Sequence, residues 1–182
     1  MSNTPLSTEQ ALAAHTNQPT FKQYGLHKQL QQAIDALGFT EPTPIQSQSL
    51  PSTLKGADMI GQAQTGTGKT AAFLICAIQH MLQNPYQGER FNGEPRLLVL
   101  APTRELVMQI ASDAEQLTKC SELSTLTLIG GVDYDKQRDR LHHEVIDLLV
   151  ATPGRLIDFL RSKDVSLQEV EVLVLDEADR ML

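Results

Sequence analysis

The feature of this sequence that most restricts its fold is a repeated alternation of short apolar runs with longer segments of helical periodicity. The apolar runs are rich in Val, Leu and Ile, and they lie in "RLLVLAPT", "LTLIGG", "VIDLLVATPGR" and "VEVLVLDEAD". Strands that alternate with helices are typical of an α/β fold, a parallel β-sheet with helices on both faces. Ligands bind beyond the carboxyl ends of the strands in such sheets. In this chain the ends of the predicted strands carry "AQTGTGKT", "APTREL", "IGG", "ATPGR" and "DEAD".

Helices are predicted between and before these runs. Helical spacing of apolar residues is first seen at Leu26, Leu30, Ile34 and Leu37, and Gly38 follows as a stop signal. A second helix is predicted in "PIQSQSLPSTLKG", ending at Gly56, where Pro51 should kink it or start a new turn. "DMIGQAQ" is predicted to be a short strand, residues 84–95 an exposed loop. Further helices are predicted in "GKTAAFLICAIQHMLQ", "RELVMQIASDAEQLTK", "DYDKQRDRLHH" and "RLIDFLRSK".

Length and composition narrow the class of protein. The chain has 182 residues of which 41% are hydrophobic, so residues 21–182 can form one domain behind a polar, flexible tail at residues 1–20. Cys76 and Cys120 lack the spacing of a zinc site. We find no signal peptide and no run of roughly 20 apolar residues that could span a membrane, so we expect a cytoplasmic protein. The net charge of −7 argues against a uniformly basic nucleic-acid surface.

The segment "AQTGTGKT" resembles a phosphate-binding loop between a strand and a helix. Glycines allow backbone N–H groups to surround phosphates, and a helix N-terminus adds partial positive charge. Lys69 is expected to reach the β- and γ-phosphates, and Thr70 to bind Mg²⁺. Ala63 stands where the general pattern has Gly. The predicted nucleotide-binding residues are Ala63, Gln64, Thr65, Gly66, Thr67, Gly68, Lys69 and Thr70. The alternative is a glycine-rich turn with a chance Gly-Lys-Thr.

The segment "LVLDEAD" places acidic residues directly after an apolar strand. Asp176 is predicted to hold Mg²⁺, and Glu177 to orient or deprotonate the water that attacks the γ-phosphate. Together with Lys69, these two acids are the predicted catalytic residues. The alternative is an acidic helix start, because carboxylates are favourable near a helix N-terminus.

Taken in order, "AQTGTGKT", "APTREL", "GG", "ATPGR" and "LDEAD" resemble the first RecA-like domain of a DEAD-box RNA helicase. The resemblance covers about residues 20–182, and this family tolerates Ala63. It implies a RecA-like P-loop fold, ATP and Mg²⁺ as cofactors, and RNA and a second RecA-like domain as partners. "GQAQTGTGKT" and "GGVDYDKQ" resemble the bacterial branch associated with RNA decay, so proteins of RNA-decay complexes are further expected partners.

The stretch "GFTEPTPIQ" resembles the adenine-sensing Q motif of the same family. The resemblance implies that Gln46 pairs with adenine and that Phe21 packs on the base. Considered without it, Thr43 and Gln46 fit a capping box, which is the favoured interpretation from the residues alone. Phe21 then would be a core or staple residue.

The remaining motifs resemble the family's RNA-binding motifs. Each sets a Thr or Gly at a strand end before a helix, where backbone N–H groups can hold phosphates without reading sequence. The RNA-binding residues implied are Pro102, Thr103, Arg104, Gly130, Gly131, Thr152, Pro153, Gly154 and Arg155. Ordinary helix capping and salt-bridged arginines are the alternative for each.

The resemblance also implies that the family's complete proteins contain a domain and a motif that these 182 residues do not include. We expect a domain truncated after the DEAD motif, without its second RecA-like domain and without the Ser-Ala-Thr motif to which Asp179 would relay. Such a fragment is expected to be nearly inactive alone. A small-molecule kinase and an ATP-regulated RNA or protein clamp are the competing functions, and duplex unwinding by the complete protein would separate the clamp from the helicase.

Overall fold

The structure is a computed structural model that describes residues 19–64 and 66–181. The predicted tail at residues 1–20 lies outside the described residues except for its last two. Thr65 and Leu182 also lie outside them.

Four strands form one sheet in which every neighbouring pair is parallel. The order across the sheet is β2-β3-β1-β4. The strands are β1 Leu97–Leu100, β2 Thr125–Leu128, β3 Leu148–Ala151 and β4 Val172–Leu175. Each strand falls within one of the apolar runs of the sequence, so the predicted α/β architecture is confirmed.

Six α-helices connect and precede these strands in the part of the chain that the structure describes. They are α1 Lys28–Ala36, α2 Pro44–Thr53, α3 Lys69–Gln83, α4 Arg104–Thr118, α5 Tyr134–His143 and α6 Pro153–Arg161. Helix α2 continues past Pro51 and ends at Thr53, three residues before the predicted end at Gly56. Within the described residues, no helix is both long and apolar enough to cross a membrane.

The core has two layers, one on each face of the sheet. Successive residues of a strand point to opposite faces, and here Leu97 and Val99 of β1 join one apolar cluster whereas Leu98 joins the other. Buried side chains of α1, α2, α3 and α4 complete the first cluster, and those of α5 and α6 the second. The two central strands, β1 and β3, are therefore buried on both faces, as is typical of a parallel sheet.

The prediction of a strand in "DMIGQAQ" was wrong. The structure describes residues 58–64 as irregular backbone, and the side chain of Ile60 is fully exposed. A strand is stabilised by hydrogen bonds to a neighbouring strand, and β4 at the sheet edge pairs only with β1 among the described residues. Leu173 and Leu175 of β4 are 57% and 52% exposed. Without a partner strand, this segment does not form a strand.

Two arginines, one in the loop at residues 84–95 and one directly after it, form ion pairs at the amino-terminal edge of the sheet. Arg90 Nη1 contacts Asp147 Oδ1 at 2.5 Å. Arg96, which is 3% exposed, donates two hydrogen bonds to Glu171, from Nε to Oε1 at 2.6 Å and from Nη2 to Oε2 at 3.0 Å. These bonds lower the pKa of the Glu171 carboxyl, although its partial burial opposes them. The Arg96–Glu171 pair therefore connects the start of β1 to the start of β4.

We predict that Glu171→Gln lowers the free energy of unfolding at pH 7 by about 1–3 kcal/mol, because the buried Arg96 guanidinium loses its anion. A depressed carboxyl pKa gives stability that is present above the ordinary value and is lost as pH falls through the lower folded value. The deficit should therefore shrink as the pH is lowered below about 4.5. Urea unfolding at several pH values measures it, with Glu122→Gln on an exposed side chain as control. Equal stability of Glu171→Gln and Glu122→Gln at pH 7 would contradict the prediction.

Candidate functional site

The phosphate-loop sequence forms the turn that opens α3. Gly66 and Gly68 have φ values of +79° and +90°, a region that glycine enters without steric cost. The Thr67 hydroxyl donates to the carbonyl oxygen of Gln64 at 2.7 Å, which closes the turn. Lys69 is the first residue of α3. The loop thus brings a lysine side chain and a helix N-terminus to the same place.

The other predicted loop residues lie on either side of this turn. Ala63 is half-buried ahead of it, and Thr70 is the half-buried second residue of α3. The predicted role of Thr65 lies outside the described residues.

Gly68 is the contact point between the loop and the predicted Q motif. The Gln46 side-chain amide donates from Nε2 to the carbonyl oxygen of Gly68 at 3.1 Å. A Cβ atom at Gly68 would lie 2.5 Å from Gln46 Nε2 and 2.9 Å from Thr43 Oγ1. Both the positive φ and this close approach require glycine here, so α2 and the loop form one packed unit.

Gln46 also contributes to the start of α2, as the capping interpretation predicts. Its Oε1 accepts a hydrogen bond from the Thr43 N–H at 2.9 Å, and the residue is 4% exposed. Phe21 is 2% exposed in the core, with its ring centroid 6.4 Å from those of Tyr24 and Phe39. These contacts are the structural roles named as alternatives, and the adenine roles of Gln46 and Phe21 stay predictions.

The DEAD sequence forms a tight turn directly after β4. The Asp176 N–H donates to the carbonyl oxygen of Leu100 at 2.9 Å, which continues the β1–β4 pairing by one residue. Glu177 has φ +48° and ψ +46°, a left-handed conformation that costs a non-glycine residue about 1 kcal/mol or more. Its N–H donates to Asp176 Oδ1 at 3.0 Å, and its Oε2 contacts Arg180 Nη1 at 2.5 Å. Asp179 is exposed in the short 3₁₀ turn that follows.

Burial raises the pKa of the Asp176 carboxyl above its ordinary value of 3.8. The Glu177 N–H and the positive charge of Lys69 act in the opposite direction, and the negative charge of Glu177 adds to the rise. Because the Asp176 carboxylate is partly desolvated, a cation bound next to it would stabilise its negative charge.

The loop and the DEAD turn line one cleft of about 460 Å³, together with residues of α4 and the α1–α2 connection. Its polar lining includes Gly66, Gly68, Lys69, Thr70, Asp176 and Glu177. No group of three or more His, Cys, Asp or Glu side chains that could hold a metal is found in residues 19–64 and 66–181. A hydroxyl and one or two carboxylates fit Mg²⁺ that is held mainly by substrate phosphates and water.

Three motifs resemble RNA-binding motifs of the family, and we call them the RNA-type motifs. Two of them, "APTREL" and Gly130–Gly131, meet at the carboxyl-terminal edge of the sheet. Thr103 caps α4, and its Oγ1 accepts a hydrogen bond from the Leu106 N–H at 3.3 Å. Pro102 is half-buried before it, and the next residue, Arg104, is exposed and directed towards the Gly130–Gly131 loop. A Cβ atom at Gly131, which has φ +72°, would collide with the Arg104 guanidinium.

The third RNA-type motif starts α6. Thr152 is the residue before the helix and Pro153 is its first residue, as predicted, although no Thr152 side-chain hydrogen bond caps the helix within the described residues. Gly154 is exposed. Arg155 donates weakly to the carbonyl oxygen of Val132, at 3.4 Å from Nη1 and 3.5 Å from Nη2. Arg155 therefore reaches the loop that Arg104 also contacts.

Sequence reasoning missed two residues at this edge. Gln137 of α5 is 5% exposed and hydrogen-bonded to the Gly130–Gly131 loop. The only signal was its spacing of four residues from Leu141, the buried apolar residue of a polar helix. Asp113 of α4 lines the cleft between the loop and the DEAD turn, and burial raises the pKa of its carboxyl. No sequence pattern marked it.

Comparisons with known proteins agree with this geometry. The family model described as DEAD/DEAH box helicase matches residues 43–182. The chain is similar to the ATP-dependent RNA helicase RhlB of Pseudomonas aeruginosa, with 57% identity over 162 residues, or 89% of this chain and 41% of the relative. It is 47% identical to RhlB of Photorhabdus laumondii (92% of this chain, 39% of the relative). It is 50% identical to RhlB of Xanthomonas oryzae, over 89% of this chain and 28% of the relative.

The chain therefore belongs to the DEAD/DEAH box helicase family. Its parallel sheet and its helices on both faces are those of a RecA-like domain. It spans about two fifths or less of the length of these curated relatives.

We predict that Asp176→Asn stabilises the nucleotide-free chain at pH 7, with a rise in Tm of about 2 °C, because a partly desolvated charge is removed while Oδ1 can still accept from the Glu177 N–H. An acid whose folded pKa is raised contributes stability below its unfolded value and loses it as pH rises. The gain should therefore disappear as the pH falls to about 3.8 or below. Thermal unfolding monitored by circular dichroism at several pH values checks this, with Asp139→Asn on the exposed face of α5 as control. A Tm at pH 7 no higher than that of the parent would contradict it.

Proposed function

We propose that this chain is the first RecA-like domain of an ATP-dependent RNA helicase, in which it binds Mg-ATP and contacts RNA. The single observation that carries the proposal is the position of the phosphate loop, the DEAD turn and the three RNA-type motifs, which lie together at the carboxyl-terminal edge of one parallel sheet. A nucleotide in the cleft and an RNA backbone at the neighbouring strand ends would then be bound by adjacent turns of the same edge.

The nucleotide would be held by the loop and the DEAD turn. Backbone N–H groups of residues 63–68 and the N-terminus of α3 would bind phosphate oxygens, and Lys69 would neutralise the β- and γ-phosphates. Thr70 and Asp176 would hold Mg²⁺, which polarises the phosphoryl group when bound. Glu177 would orient the attacking water or accept its proton.

Gln46 can serve the loop and adenine together. A side-chain amide has two acceptor lone pairs and two N–H donors, and the contacts to Thr43 and Gly68 use one of each. The remaining lone pair and N–H match the donor and acceptor pair on adenine, as amides do in base recognition. Phe21 would pack beside the base. In this proposal the bond to the Gly68 carbonyl couples recognition of the base to the phosphate loop.

RNA would be held by its backbone at the starts of α4 and α6 and at the Gly130–Gly131 loop. Arg104 and Arg155 place two positive charges there, so the acidic total of the chain does not describe this edge. Contacts from helix starts and backbone N–H groups read no sequence, which suits an enzyme that acts on many RNA sequences. Asp179 would couple the DEAD turn to a following motif.

The complete cycle would need a second RecA-like domain, carried by a longer protein. Arginine fingers contribute about 10³–10⁵ in rate in related nucleotidases, so these 182 residues alone should bind nucleotide weakly and hydrolyse it slowly. We further propose a cytoplasmic location and, from the similarity to RhlB, association with proteins of RNA-decay complexes.

The first test is Glu177→Gln in the full-length protein. RNA-stimulated ATP hydrolysis and duplex unwinding should fall about 10²-fold or more, because the water loses its general base, whereas Mg-ADP affinity stays within a few-fold of the parent. Steady-state ATPase and strand-displacement assays measure both, with Glu115→Gln on the outer face of α4 as control. Undiminished hydrolysis in Glu177→Gln would contradict the assigned role. An ATPase-active parent that never separates a duplex would favour the clamp.

The second test is Gln46→Ala, which removes the amide from the adenine edge. The preference for ATP over GTP should fall about tenfold, the worth of a good bidentate base contact. Equilibrium titration with fluorescent ATP and GTP analogues gives the ratio of the two affinities. The control is Gln168→Ala, an exposed glutamine that does not line the cleft. An unchanged ratio with weaker binding of both nucleotides would leave Gln46 with only its structural contacts to Thr43 and Gly68.

A further inference from the structure

The Gly130–Gly131 loop between β2 and α5 is held from beneath by one buried side-chain amide. Gln137 Oε1 accepts a hydrogen bond from the Ile129 N–H at 2.9 Å. Gln137 Nε2 donates to the carbonyl oxygens of Val132 at 3.4 Å and Asp133 at 3.1 Å. A single amide therefore connects the residue before the glycine pair to two residues after it. Because Gln137 is only 5% exposed, this side chain lies under the loop and not on the RNA-facing surface.

The loop held in this way presents backbone donors that nothing else uses. None of the described residues accepts a hydrogen bond from the N–H groups of Gly130, Gly131 or Val132. Two backbone N–H groups at the start of α5, those of Asp135 and Lys136, already donate to Asp133 Oδ1. The donors left available thus include the three N–H groups of the glycine loop, and such groups suit a phosphate oxygen.

The same loop also contacts Arg155. The Val132 carbonyl that accepts from Gln137 also accepts from the Arg155 guanidinium. The guanidinium carbon lies 5.4 Å from the centroid of the Tyr134 ring, which is itself stacked on Phe159 at 4.4 Å and 2°. A shift of the Val132 carbonyl would therefore move an arginine that stands over the edge of the sheet.

We propose that Gln137 is a positioning residue for RNA binding: its amide sets the geometry of the Gly130–Val132 N–H groups and of Arg155 without touching the RNA. The proposal rests on the function proposed above. It predicts that removal of this amide weakens RNA binding because fewer phosphates are held, while the nucleotide cleft, formed by other turns, is unaffected.

The test compares Gln137→Met, Gln137→Glu and Gln79→Met in the full-length protein. Methionine retains the shape and removes every hydrogen bond, whereas glutamate can still accept from the Ile129 N–H but cannot donate to the Val132 and Asp133 carbonyls. Gln79 is the matched control, because it is 3% exposed on α3 and its Oε1 accepts from the His27 N–H at 2.7 Å. The measurements are the Kd for fluorescently labelled single-stranded RNA by anisotropy at several salt concentrations, the Kd for Mg-ADP, and Tm.

Both Gln137 variants should bind RNA about tenfold more weakly, with Mg-ADP affinity unchanged. The slope of log Kd against log salt should fall in magnitude by about 0.7 for each RNA phosphate that the variant no longer binds, which a purely structural defect would not produce. Gln79→Met should lower Tm but leave the RNA Kd and the slope unchanged. An RNA Kd and slope equal to those of the parent in folded Gln137→Glu would overturn the proposal, as would equal weakening by Gln79→Met. A parent protein that binds no RNA would instead overturn the proposed function itself.

Discussion

The in-register parallel pairing of β1 with β3 and β4 is the constraint on which the site depends. Leu100 lies opposite both Ala151 and Leu175, so the chain leaves all three strands at the same level. Backbone hydrogen bonds extend the pairing one step beyond, from the N–H of Ala101 to Ala151 and from the N–H of Asp176 to Leu100. The residues that follow are those of the "PTREL", "TPGR" and "DEAD" motifs. A shift of one residue in either pairing would turn these side chains to the opposite face of the sheet.

Close packing at glycine joins the other parts of the site to this edge. Gly68 packs against Gln46 and Thr43, and Gly131 packs against Arg104. At Gly68 a positive φ and two neighbouring side chains both exclude a Cβ atom. At Gly131 the positive φ is the constraint, because the exposed Arg104 side chain can move aside. The turn at Glu177 is different, because a non-glycine residue adopts the left-handed region there. The desolvation of the Asp176 carboxylate is a cost that a bound cation would offset.

Much of the fold followed from the sequence because its signals are local. The apolar runs identified all four strands, and the alternation with helices identified the parallel sheet. The segment 58–64 was mispredicted because a strand depends on a neighbour that local composition cannot reveal. Gln46 shows the same limit, since the capping box is visible in "TPIQ" but its bond to the Gly68 carbonyl joins residues 22 positions apart. Gln137 was missed because a buried glutamine inside a polar helix differs from its exposed neighbours only by its tertiary contacts.

Nucleotide and RNA are proposed to bind separate turns of one sheet edge, and amide chemical-shift mapping of the 182-residue chain tests this placement most directly. Mg-ADP should shift the resonances of Gly66–Thr70 and Asp176–Glu177 and leave Gly130–Val132 unchanged. Single-stranded RNA should shift Gly130–Val132 and the N–H groups at the starts of α4 and α6. Shifts concentrated instead at the amino-terminal edge, in residues 84–95 and 164–170, would contradict the placement of both ligands.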